Sequence, residues 1–190
     1  MTDKQLNKRL CVARALDILL MRYDVCNITI ADVCRESGVP RATFYRLFYN
    51  LNDVSLWLFE YLLQNSMTQE SIDRGWQAAE ENLFSEMQHW KNLFYKFYQV
   101  QPYDSILEYA SRSGEKEFLK YAAERLGREI SAQERMVVAY HSYSQACLCA
   151  KWVKDGMVVP PAEMAALMVQ FLPPIMKEFT KPRRTGFDLK

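Results

Sequence analysis

The stretch Ile28-Thr-Ile-Ala-Asp-Val-Cys-Arg-Glu-Ser-Gly-Val-Pro-Arg-Ala-Thr-Phe-Tyr-Arg-Leu-Phe48 decides the fold. It reads as two short helices joined by a tight turn. Thr29 is a good N-cap, with Asp32 three residues on in the place of a short capping box, and Ile28 and Val33 have the spacing of a hydrophobic staple. The first helix is expected to run to about Ser37, where Gly38 can take the positive φ that ends it. Pro40 suits the first positions of a helix, so the second starts there. Phe44, Leu47 and Phe48, at i, i+3 and i+4, form its inner stripe. Arg41, Ala42, Thr43, Tyr45 and Arg46 are left outside. That face of two cations, two hydroxyls and one small side chain suits phosphates and base edges in a major groove.

From Thr29 to Phe48 the sequence resembles the helix-turn-helix of TetR-family (tetracycline-repressor-like) transcription regulators. The resemblance rests on Thr29, the Ala31/Val33 region, Gly38-Val39, Thr43-Phe44-Tyr45 and Phe48, then Asp53-Val54. It covers roughly residues 5–60 in motif, and the rest in size and helix pattern only. It implies an all-α homodimer: a three-helix DNA-binding domain, residues 1–50, and a larger effector-binding and dimerisation domain, residues 51–190. It also implies a pseudo-palindromic double-stranded operator. Carried over by position, Arg41 and Ala42 meet base edges, and Thr43 and Tyr45 meet phosphates. Thr29 belongs to the same set, and Arg46 joins it on charge. An Arg bidentate to guanine is the commonest specific contact, so direct readout is assigned to Arg41. Leu51 stands where the family commonly has a phosphate-meeting Lys.

Working outward, residues 4–23 carry Leu6, Leu10, Ala13, Leu16, Leu20 and Tyr23 at helical spacing, an amphipathic helix with Lys4, Lys8 and Arg9 near its start. Asn50 to Asn52 reads as a joint, and Asp53 opens a fourth helix. Residues 64–75 read as a loop or a frayed helix end. One long helix is expected over 76–100, limited by Pro102, then short helices over 103–112 and 115–126, separated by Ser113-Gly114 and ended by Gly127. The capping box Ser131-Ala-Gln-Glu134 starts a helix to about Lys154, rich in small residues. Pro160-Pro161 opens a last helix, apolar nearly all round, which Pro173-Pro174 stops or kinks. Such a helix needs burial on more than one side, which a four-helix bundle made by two subunits supplies. The dimer is therefore expected through 131–154 and 161–179. The tail from Lys181 is basic.

Formal net charge is only +1 over 190 residues, but residues 1–50 hold eight Lys/Arg against five Asp/Glu. The positive charge thus gathers on the suspected DNA module. No apolar run approaches the ~20 residues that span a bilayer, and no signal-peptide core follows the N-terminus; a cytoplasmic protein is expected. The five Cys form no disulfide framework and read as small buried residues, with a thiol sensor the sharper alternative.

Catalysis needs a constellation, and the sequence offers none. His89 and His141 belong to no ligand-spaced cluster, and no glycine-rich phosphate loop occurs among the six Gly. No cofactor or metal is expected. The aromatic-rich middle suggests, through the resemblance, an effector pocket. Trp57, Trp90, Phe94, Tyr98 and His141 are the candidate liners, with His89, Tyr140 and Tyr143 as further polar handles. The effector expected is small and apolar or aromatic. The function read from all this is ligand-responsive transcriptional repression. A dimeric helical binding or adaptor protein that no longer reads DNA is the other class, favoured by Leu51.

Overall fold

A computed structural model describes residues 2–100 and 103–181. Pro102 and the basic tail after Lys181, both singled out above, lie outside the described residues. The fold is all-α. Helix α1 (Asp3–Leu20) is started by a Thr2/Gln5 capping box. A 3-10 turn, Val25–Asn27, leads to α2 (Ile30–Ser37) and α3 (Arg41–Leu47). Then come α4 (Leu51–Ser66), α5 (Gln69–Arg74), α6 (Trp76–His89), α7 (Lys91–Val100), α8 (Tyr103–Leu126), α9 (Ala132–Lys154), α10 (Pro161–Gln170) and α11 (Pro174–Phe179).

The first three helices pack on one another around Val12, Leu16, Val33 and Phe44, each fully buried. α1 ends at Leu20, and Tyr23, assigned above to its buried stripe, is half exposed in the following turn. α4 begins two residues earlier than expected, because Asn50 Oδ1 accepts from the Asp53 amide at 3.0 Å and caps it. Leu51 thereby enters the first helical turn and packs against the core. α4 continues to Ser66, and Thr68 caps a further short helix, so the 64–75 loop is in large part helical.

Two helix breaks were misplaced. The expected helix over 76–100 breaks at Trp90, whose backbone (φ −99°, ψ 33°) leaves the helical region. Conversely, the gap expected at Ser113-Gly114 is closed, and α8 runs unbroken across it. A Cβ on Gly114 would lie 3.9 Å from Cβ of Ser142, so this glycine is where α8 and α9 press together. Ser142, Ala146 and Ala150 are buried in the body of the same chain. The last expected helix is two, α10 and α11, divided at Phe171–Pro173.

α7 has no side-chain cap from its own neighbours. Asp17 of α1 supplies one: its Oδ1 accepts from the Leu93 amide at 2.8 Å, and its Oδ2 from Asn92 Nδ2 at 3.5 Å. Lys96 and Asp24 form an ion pair beside it, and Arg14 lies 5.5 Å from the Trp90 ring centroid. Burial pushes the Asp17 carboxyl above its ordinary pKa, and the bond from Leu93 pulls the other way. Asp17→Ala should cost ~1–3 kcal/mol, the usual cost of stranding a buried donor, while Asp17→Asn, which can still accept from Leu93, should cost less. Urea unfolding of the three proteins checks this order.

Candidate nucleic-acid interface and interior cavity

The helix-turn-helix is built by local rules that its sequence satisfies. Thr29 Oγ1 accepts from the Asp32 amide at 3.2 Å, and Asp32 Oδ2 accepts from the Thr29 amide at 3.0 Å, closing the capping box. Arg35 holds the other carboxylate oxygen at 2.9 Å. These hydrogen bonds keep the Asp32 carboxyl below its ordinary pKa. Gly38 ends α2 at φ 67°, the left-handed conformation a side chain would strain. Pro40 precedes α3 with φ −58° and ψ 143°, and the chain turns into the second helix. Phe44 and Phe48 are buried with their rings tilted against each other at 5.8 Å, and Leu47 is half-buried beside them.

The outer face holds Arg41, Ala42, Tyr45 and Arg46, all exposed. Arg41 Nη2 donates to the Tyr45 hydroxyl at 3.2 Å, and its guanidinium lies 5.6 Å from the Tyr45 ring centroid. Tyr45 is half exposed, with its ring edge against Phe44, so its hydroxyl end stands at the surface. Thr43 corrects the face assigned to it. It is 8% exposed, tucked between the helices, and its Oγ1 accepts from Arg46 Nη2 at 3.0 Å. In a seven-residue helix Thr43 precedes Phe44 and lies one turn before Leu47, so it shares their inner side. Thr29 is exposed, but its hydroxyl is committed to the cap: it donates to Asp32 at 2.6 Å. Arg9, grouped above with the N-terminal cations, is partly buried over the rings of Phe48 at 4.7 Å and Trp57 at 5.3 Å. Sequence reasoning missed Tyr49, 83% exposed just past α3. A large aromatic directly after an inward-facing Phe48 was the available signal.

The interior holds a cavity between α4, α6, α8 and α9, of about 60 Å³. One water needs ~10–15 Å³, so the space holds a few water-sized groups, and it is partly open to solvent. Its walls include Leu63, Trp76, Phe84 and Phe118, and its polar groups are Glu80, Glu117, Ser142 and Gln145. None of the five expected liners is among them. Trp57 stacks on Tyr61 and meets Phe48 edge to face at the joint with the first three helices. Trp90 sits at the α6–α7 break, and Phe94 and Tyr98 line a separate space of about 20 Å³. His141 is buried behind the cavity wall, 5.8 Å from Phe118, and burial lowers its pKa. His89, Tyr140 and Tyr143 are exposed and supply no interior handle. The aromatics expected to receive a ligand instead pack on one another, and polar liners missed in the sequence come from three separated helices.

Glu80 is a buried carboxyl in the cavity lining. It is 5% exposed, and its Oε1 accepts from Trp76 Nε1 at 3.0 Å. Burial raises its pKa to about 7, against the hydrogen bond from Trp76 that lowers it. The Cys149 thiol nearby is pushed up to about 12 by burial and by Glu80. Cys149 is thus the small buried residue expected, whereas Cys11 and Cys26 are exposed. Among the described residues no helix is long and apolar enough to cross a membrane.

No family model matches the chain. The uncharacterized HTH-type transcriptional regulator YxbF of Bacillus subtilis (strain 168) is 34% identical over 89 residues. That match covers 44% of this chain and 22% of the relative, so the chain spans under a quarter of that protein's length. Among solved structures, the dihydroxyacetone kinase operon activator DhaS is similar over 90% of this chain and 96% of its own, with a TM-score of 0.68. At 15% identity this likeness is one of fold.

The buried carboxyl makes stability depend on pH. The folded pKa of Glu80, about 7, lies above its ordinary 4.5, so the folded state holds the proton more tightly. That contribution is complete below pH 4.5 and is lost as pH rises towards 7. Relative to Glu80→Gln, which cannot ionise, the wild type should lose on the order of 3 kcal/mol across this window. Urea melts of both proteins at pH 5 and pH 8 measure the difference.

Proposed function

We propose that this chain is a sequence-specific DNA-binding transcriptional regulator, working as a homodimer whose operator affinity is set by a small effector, in its simplest form a repressor. The observation that carries this reading is the exposed face of α3. A capped α2 and the Gly38 turn hold that helix rigidly, and it presents Arg41, Ala42, Tyr45 and Arg46 outward. A partly matching relative and a structural neighbour, both named as transcription regulators, support it. Residues 1–50 are taken as the DNA-binding unit and residues 51–190 as the sensing and dimerising one.

Burial revises the division of labour on α3. Arg41 lies at the N-terminal end of the helix, which meets base edges in helix-turn-helix proteins. Tyr45 and Arg46 flank it as phosphate partners. Thr43 acts by fixing the Arg46 guanidinium. The dimer rests on exposed apolar side chains of the last helices. Met136, Tyr140 and Tyr143 are exposed at i, i+4 and i+7 on α9, and Leu167 and Phe171 are exposed on and just after α10. Both helices also bury an opposite face within the chain. Two copies of α9 and α10 would cover the open faces as a four-helix bundle.

Titration of operator and scrambled duplexes at several salt concentrations tests this. Arg41→Ala should weaken operator binding by roughly one to two orders of magnitude per half-site and relax base preference at one position in each. Arg46→Ala should weaken both duplexes and flatten the salt slope, since it removes a phosphate-neutralising charge. Thr43→Val should reproduce part of that loss. Half-sites should lie about one helical turn apart, ~34–36 Å. If no genomic duplex binds more tightly than scrambled DNA, the adaptor reading replaces the regulator. Phe171→Glu should give monomer in sedimentation and abolish operator binding; a wild type that sediments as monomer at micromolar concentration refutes the dimer.

A further inference from the structure

The cavity between α4, α6, α8 and α9 has an imbalance that its shape alone does not explain. Two carboxylates, Glu80 and Glu117, line it, and no Lys, Arg or His does. Both are buried, at 5% and 8% exposure. Glu117 has one cation near it, Lys120 at 3.6 Å, whose own side chain is half in solvent. Glu80 accepts from one neutral donor, the Trp76 indole, and the Gln145 amide nitrogen in the same lining is buried without a hydrogen-bond partner. Burying an ionised carboxyl with no counter-ion is costly, and Glu80 is in that position. A second observation is independent of charge. Ser142 is 3% exposed and lines the same cavity, and its hydroxyl has no hydrogen-bond partner. Buried hydroxyls are normally satisfied, so one left open onto a cavity points to a guest. The remaining wall is apolar and aromatic. Trp76 and Phe118 stack there at 4.7 Å, and aromatic faces attract cations.

We infer that this cavity binds a small organic cation, an apolar body carrying one ammonium group, with Glu80 and Glu117 as its counter-charges and Ser142 as a hydrogen-bond partner. This names the effector class for the regulator proposed above and revises the apolar or aromatic effector expected from composition. An ammonium supplies the positive charge that the walls lack, and its N–H groups fill the acceptor sites of the two carboxylates and the free lone pairs of Ser142. An anion would meet two carboxylates and no cation. A neutral ligand of the same shape would leave the carboxylates as they are. Gly114 adjoins Ser142 in the lining, so the cavity exists only while that close crossing of α8 and α9 holds.

The test uses the full chain and two matched series: butylammonium, 1-butanol and butyrate; benzylammonium, benzyl alcohol and phenylacetate. Binding is read by thermal shift and by calorimetric titration. At least one ammonium should bind about tenfold or more tightly than its alcohol, and neither carboxylate should bind. Glu80→Gln and Glu117→Gln should each erase that preference while leaving the alcohol's affinity unchanged. Two substitutions are used because one could disturb packing, and far-ultraviolet circular dichroism and melting confirm that each variant folds. The inference is overturned if alcohol and ammonium bind alike, if neither ammonium binds, or if both folded variants keep the preference. Operator binding is measured on the same preparations. Loss of cation binding with operator binding intact removes this inference alone; cation binding without operator binding removes the regulator reading alone.

Discussion

The carboxyl of Asp17 ties α1 to the start of α7. It lies on α1, which belongs with the helix-turn-helix, yet its hydrogen bonds are spent on the start of α7, in the helical body. The first N–H groups of a helix have no partner within it. At α7 the preceding residue is Trp90, which also ends α6 and offers no cap. α1 therefore completes α7, and α7 fixes where α1 lies. The other end of α1 is held by Arg9, over Phe48 and Trp57. One helix is thus anchored to the body through Asp17 and to the end of α3 through Arg9, and the exposed face of α3 takes its orientation from both.

The parts of the fold that were legible in the sequence are those specified by nearest neighbours. The capping boxes at Thr29 and Ser131 and the positive-φ Gly38 and Gly127 lie where their spacing puts them. The caps at Asn50 and Thr68 obey the same chemistry, each accepting from the amide three residues on; Asn50 was read as part of a joint before the fourth helix, and Thr68 lay in a polar stretch read as a loop or frayed end. Gly114 and Trp90 were misread for a different reason. A glycine in a polar stretch signals a break locally, but here tertiary packing on Ser142 overrides propensity. Trp90 sits in an apolar run with helical periodicity, and only the need to turn α7 onto α1 breaks it.

The cavity was illegible for a similar reason. Glu80 precedes Glu81 and follows two alanines, a pattern that reads as a solvated helix face. Glu80 shares the helical stripe of Trp76, Leu83 and Phe84, which turns it inward to the Trp76 indole while Glu81 stays exposed, but its charge masks that spacing in the sequence. Its companions Glu117 and Ser142 are supplied by other helices, so the site exists only after α6, α8 and α9 are packed. The aromatics were conspicuous in the sequence and mostly serve the core. Thr43 was misplaced by the same limit at shorter range: in a helix of seven residues one position decides between the buried and open sides, and only the neighbouring helices settle it.

On the proposed reading, an occupant of the cavity can alter DNA affinity only if it binds one arrangement of the helices better than another. α4 is the direct route for that difference. Its C-terminal half, with Phe59, Leu63 and the following Met67, forms cavity wall, and its N-terminal half carries Trp57 against Phe48 at 5.7 Å. α6 offers a second route: Trp76 and Glu80 touch the cavity, and α6 ends at Trp90, where Arg14 and Asp17 of α1 attach. Both routes end on residues that hold the α1–α3 unit. Charge gives the occupant the differential it needs. When ionised, the buried Glu80, which has no resident counter-ion, favours whatever helix arrangement lets solvent reach it, and a bound ammonium removes that preference. The leverage of the cavity on α3 is then bounded by how much the burial of Glu80 differs between the two arrangements.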